Sequence, residues 1–121
     1  MQLDTRSKIL PLTRASEFGD AVFVHMYLDP LTVAHARRLA EIAAAGRRLV
    51  VLLSDPPAPL LPIAARAELA AALVAVSAVM IVDGPVPVST ISEEAGDLMR
   101  RQALVRHVLD RHSLAAAGSG D

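Results

Sequence analysis

Residues 21–55 read AVFVHMYLDPLTVAHARRLAEIAAAGRRLVVLLSD, and this stretch decides the fold. Ala21-Val22-Phe23-Val24-His25-Met26 is short, apolar and not alternating, the pattern of a strand covered on both faces. Asp29-Pro30 ends it. From Thr32 to Ala45 apolar residues recur at Val33, Ala36, Leu39, Ala40, Ala43 and Ala44, which is a helical stripe. Thr32 is a good N-cap and Gly46 a C-terminal cap for that helix. Leu49-Val50-Val51-Leu52-Leu53 is a second buried strand, stopped by Ser54-Asp55. Strand, helix and strand joined by tight turns predict a right-handed crossover and a parallel pair.

The pattern continues outward on both sides. Pro56, Pro57, Pro59 and Pro62 make a loop that cannot be regular structure. An alanine-rich helix follows, roughly from Ile63 to Val76, and then a third strand, Val79-Met80-Ile81-Val82, ended by Asp83-Gly84-Pro85. Residues 86–90 form a short extended segment. Ser92, with Glu93 and Glu94 in the first turn, predicts the start of a long final helix over 92–116. Its apolar face is Ala95, Leu98, Met99, Val105, Val108 and Leu109, and residues 117–121 read as a disordered tail. Upstream, residues 1–20 mix polar and apolar positions and end in the turn signal Phe18-Gly19-Asp20. The fold class is therefore α/β, a short, mostly parallel sheet flanked by helices in one domain over 1–121.

Composition narrows the function classes. At 121 residues the chain is long enough for one hydrophobic core. The apolar fraction is 53% but only Phe18, Phe23 and Tyr27 are aromatic, so the core is Ala, Leu and Val, with few platforms for stacking bases. The formal charge of −1 gives no general attraction for nucleic acid or anionic membranes. Absence of cysteine removes disulfides, thiol nucleophiles and thiolate metal sites. The opening MQLDTRSKILPL has no apolar run of signal-peptide length. The longest mostly apolar stretch, Leu69 to Val82, is shorter than the roughly 20 residues a membrane span needs and contains Ser77. The expectation is a cytoplasmic protein with no membrane partner. Arg100, Arg101, Arg106, His107, Arg111 and His112 form a basic run that reads as a solvated face. His107 and His112 are not spaced as an i, i+4 metal pair, and no metal site is predicted.

In parallel sheets, ligands sit beyond the carboxyl ends of the strands, near the point where strand order reverses. The residues to watch are those from His25 to His35, then Ser54 and Asp55, then Asp83 and Gly84.

The stretch from Val24 to Leu39, with Asp29, Thr32 and His35 at its centre, resembles the signature of the cytidylyltransferase-like nucleotidylyltransferases, approximately G-x-F-D-x-x-H-x-G-H-x-x-x-L. The likeness runs over residues 7–84, through RRLVVLLSD, ARAELAAAL and VMIVDG. The lead-in SKILPL also looks like the start of the adenylyltransferase domain of heptose-phosphate enzymes, and glycerol-3-phosphate cytidylyltransferase belongs to the same group. The resemblance implies a Rossmann-like sheet, here truncated. It also implies a phosphate site at the first helix, where histidines, backbone N–H groups and the helix dipole meet the nucleotide.

Carried over by position, His35 stands at the second motif histidine and Thr32 at the first, so these two are the candidate catalytic residues. Asp29, His25, Asp55 and Arg66 are the candidate nucleotide- or phosphate-binding residues. Met26 and Ala34 occupy glycine positions, Leu28 the aromatic one, and Val88-Ser89-Thr90-Ile91 reads as a remnant of a helix start whose preceding strand is lost. A motif broken at Met26, Thr32 and Ala34 predicts a degenerate domain, catalytically weak or inactive, kept as a binding or assembly module and forming a homodimer. Strand one would be a bare sheet edge needing residues 86–90, the final helix or a second subunit to cover it. The alternative is an active enzyme using CTP or ATP with Mg²⁺ to transfer a nucleotidyl group to a small phosphorylated sugar or alcohol. A nucleic-acid-binding protein using the basic final helix is the weaker reading.

Overall fold

The computed structural model describes residues 4–84 and 90–93. The expected disordered tail, nearly all of the expected final helix, and positions 86–89 of the extended segment lie outside the described residues.

Four strands form one sheet: β1 (Val22–Met26), β2 (Leu49–Leu53), β3 (Ala78–Ile81) and the two-residue β4 (Ile91–Ser92). Their order is β3-β2-β1-β4 and every pairing is parallel. Chain order runs one way from β1 to β3 and then returns to the far side of β1, so strand order reverses between β1 and β4. Helix α1 (Val33–Ala43) joins β1 to β2, and α2 (Ile63–Ala71) joins β2 to β3.

The continuous apolar run of β2 reflects its central place: all five residues are buried. Each such side chain contributes on the order of 1.5–3 kcal/mol. One face of the sheet, with Val24, Met26, Leu49, Val51, Leu53 and Val79, packs against Leu39 of α1 and Ala67, Ala70 and Ala71 of α2. The small α2 residues let that helix approach closely. The other face, with Phe23, Val50, Leu52, Ala78 and Met80, meets Leu10, Leu12, Ala15 and Phe18.

The N-terminal residues are more ordered than their mixed pattern predicts. They form two 3₁₀ segments, Thr5–Lys8 and Leu12–Phe18, with Ile9 bridged in parallel to Val79 and the Leu10 N–H donating to the Val79 carbonyl at 2.9 Å. This segment covers the β3 edge. Arg48, just before β2, anchors the corner leading into β1. Its guanidinium lies 4.6 Å from the Phe18 ring centre and is paired with Asp20.

Four expectations are corrected. Ser92 does not open a helix: Ile91–Ser92 is β4, paired with Val24 and His25. Ile91 is accordingly in a strand, not at a remnant helix start. Strand one is therefore not a bare edge, because β4 covers part of it. The edge of β1 draws Ile91 and Ser92 into the sheet, and the helix expected beyond Glu93 lies outside the described residues. Finally, α2 ends at Ala71 rather than Val76, because the chain must turn to bury Val76 and bond Ser77 N–H to the Leu49 carbonyl at 2.8 Å.

Candidate functional site

The carboxyl ends of β1 and β2 and the start of α1 bring together most of the candidate residues. The chain leaves β1 through Leu28, buried with φ of +50°, and reaches Asp29, only 1% exposed. A bulky residue in the left-handed region costs about 1–3 kcal/mol and persists only where its surroundings hold it. Asp29 supplies that hold. Its carboxylate accepts from the Leu60 N–H at 2.6 Å and the Leu61 N–H at 2.8 Å, tying the proline loop to the end of β1. Ala58, on the other side of that tie, also has a positive φ of +52°.

Thr32 is the N-cap of α1, as its position predicts, and His35 lies one turn in. The two form a capping box in which the His35 ring takes the part usually played by Glu. His35 Nδ1 accepts from the Thr32 backbone N–H at 3.0 Å, with the Thr32 hydroxyl 2.9 Å from the same nitrogen. Because a backbone N–H can only donate, this bond places the proton of a neutral His35 on Nε2. His35 is 1% exposed. The motif histidine is thus part of the helix's own start.

Arg66 has no exposed surface. Its Nε donates to the Leu61 carbonyl at 3.2 Å, and its Nη1 donates to the Tyr27 and Ser54 carbonyls at 2.7 and 3.0 Å. Its Nη2 is paired with Asp55, whose side chain is 58% exposed. Four of its five N–H groups are therefore directed at the ends of β1 and β2 and at the proline loop. Met26, at the motif's first glycine position, is fully buried among the apolar residues facing α1 and α2, whereas Ala34 is exposed.

His25 lies on the opposite face of the sheet, one residue before the end of β1. Its Nε2 is 2.6 Å from Ser54 Oγ, and Tyr27 meets its ring edge-on, with centroids 6.1 Å apart. Asp83 and Gly84 are exposed beyond β3 and stand apart from these contacts.

One feature of the site had no sequence signal. The Glu93 N–H donates to the His25 carbonyl at 3.0 Å, and the Glu93 carboxylate accepts from Arg38 Nε of α1 at 3.0 Å. The pair spans the position where strand order reverses. Its members are 55 residues apart, on a helix face and after a strand too short to show periodicity.

Among the described residues no group of three or more His, Asp or Glu side chains stands close enough to hold a metal ion. The Asp29 carboxylate, turned to two backbone N–H groups, does not fit that use. None of the described helices is long and apolar enough to cross a membrane. No family model and no curated protein matches the chain.

Proposed function

We propose that the chain is a degenerate cytidylyltransferase-like domain with a truncated Rossmann-like sheet, weak or inactive as a nucleotidylyltransferase, and kept as a binding or assembly module that works as a homodimer. The sheet order, with its reversal between β1 and β4, is compatible with that ancestry. The observation that carries the loss of catalysis is the internal use of the polar residues. Transition-state stabilisation requires donors already aimed at the developing charge. Here the Arg66 donors are spent on Leu61, Tyr27, Ser54 and Asp55. Asp29 is spent on Leu60 and Leu61, and the Nδ1 of His35 on the helix cap. Residues that would meet phosphate in an active relative hold the loops together instead.

The test is a titration with CTP and with ATP, with and without Mg²⁺, following thermal unfolding, pyrophosphate release with sugar-phosphate acceptors, and mass by sedimentation. A native-state ligand at a hundred times its dissociation constant adds about 2.7 kcal/mol of stability. The expected result is no pyrophosphate and a dimer. Pyrophosphate release together with a nucleotide-dependent stabilisation lost in His35→Ala would establish the active enzyme instead. A monomer would remove the assembly role.

A further inference from the structure

A second polar pair stands at the same end of the sheet, on the face turned away from α1 and α2. Strand alternation puts His25 on the side of Phe23, and Ser54 on the side of Leu52, both of which belong to the face packed by the N-terminal segment. His25 Nε2 and Ser54 Oγ are 2.6 Å apart, within the reach that lets an imidazole take a hydroxyl proton.

We propose that His25 and Ser54 form a base–nucleophile pair that accepts acyl groups from small carboxylic esters. Three observations support the assignment. Both backbones are pinned, so the pair is held by the sheet and not by a wandering loop. His25 is paired to Leu52 on one side and Ser92 on the other, and its carbonyl accepts from Glu93. Ser54 N–H donates to the Met26 carbonyl at 3.4 Å, and the Ser54 carbonyl accepts from Arg66 at 3.0 Å. Both residues are half-buried, which shelters the pair from bulk water. His25 also stands on β1, one of the two strands between which strand order reverses, at the end of the sheet where parallel sheets place their ligands.

In the step assigned, Ser54 Oγ attacks the ester carbonyl carbon while its proton passes to His25 Nε2. The bond from carbonyl carbon to alcohol oxygen breaks, and the alcohol leaves with that proton. Water then gives a proton to His25 and attacks the Ser54 ester. The carboxylic acid departs and the proton returns to Ser54 Oγ.

Nucleotides play no part in this reaction, so its test is separate from the one above. The full chain is treated with a fluorophosphonate probe and, in parallel, with p-nitrophenyl acetate, and the modified residue is mapped by peptide mass. The expected result is label on Ser54 in preference to the other serines, abolished in Ser54→Ala and slowed about a hundredfold in His25→Gln. No label, label spread over the serines, or an unchanged rate in a folded His25→Gln protein would overturn it. Should His25→Gln melt early, the wild-type chain decides alone: a nitrophenol burst with an acetyl mass on Ser54 supports the pair, and its absence refutes it.

Discussion

At the scale of single residues, the buried Arg66 sets the character of the site. Three of its hydrogen bonds go to backbone carbonyls and only one to a carboxylate that is largely exposed. The two ends of the ion pair should therefore respond unequally to mutation. Arg66→Ala leaves three carbonyls without their donor and a cavity in the fold, and should cost about 3–5 kcal/mol by urea denaturation, the scale for breaking a buried charged network. Asp55→Asn takes away the counter-charge of a buried guanidinium but keeps an acceptor oxygen at a half-exposed position, and should cost less, about 1–2 kcal/mol. Equal losses would contradict this account. The sequence marked Arg66, Asp29 and His35 as site residues, and they do gather at one place. What their groups bond to was not legible. The acceptors are the carbonyls of Tyr27, Ser54 and Leu61 and the donors are the amides of Leu60 and Leu61, and backbone groups carry no side-chain signature.

At the scale of elements, the strongly patterned ones could be read directly. The apolar blocks of β1, β2 and β3 and the stripe of α1 reflect burial on fixed faces, and burial writes period and composition into the chain. Helix α1 also shows its end. Gly46 has φ of +87° and donates to the Ala43 carbonyl at 3.1 Å, and a Cβ added there would touch nothing within 4 Å. Gly46→Ala should then cost roughly 1 kcal/mol from backbone conformation alone, with no packing share. A loss several times larger, measured by denaturant midpoint, would mean that this turn has contacts beyond those described. Elements built on long-range contact were not legible. The 3₁₀ segments lack the 3.6-residue period, and β4 is two residues whose strand character comes from the edge of β1. Helix α2 was overextended because Ala72 to Val76 is still apolar and helix-compatible. Only the need to seat Val76 and Ser77 beside β2 turns the chain there.

At the scale of the whole molecule, the N-terminal segment is attached by charges as well as by apolar contact. A hydrogen bond from Arg48 to Asp20, with help from the Asp20 backbone N–H, holds that carboxyl below its ordinary pKa. Within the segment itself Arg14 lowers Glu17 in the same way, and Arg6 lowers Asp4, so of these pairs only that of Arg48 ties it to the sheet. A carboxyl depressed on folding contributes stability above its unfolded pKa and loses it as pH falls through the folded value. The pairs are exposed, so each effect is small and screened by salt. Melting temperature should fall between pH 7 and about pH 3, less steeply in Asp20→Asn, while a pH-independent melt would remove the charges from the account. The same segment has a consequence for how the protein is made. Lys8 Nζ reaches the Leu73 carbonyl at 3.1 Å across 65 residues of chain, beside the Ile9 bridge to Val79. Contacts this distant in sequence form late, because the loop they close must be ordered first. During synthesis the Thr5–Phe18 segment is made before β3 and must wait for it before it has anywhere to dock, and until then the nascent sheet keeps an open flank.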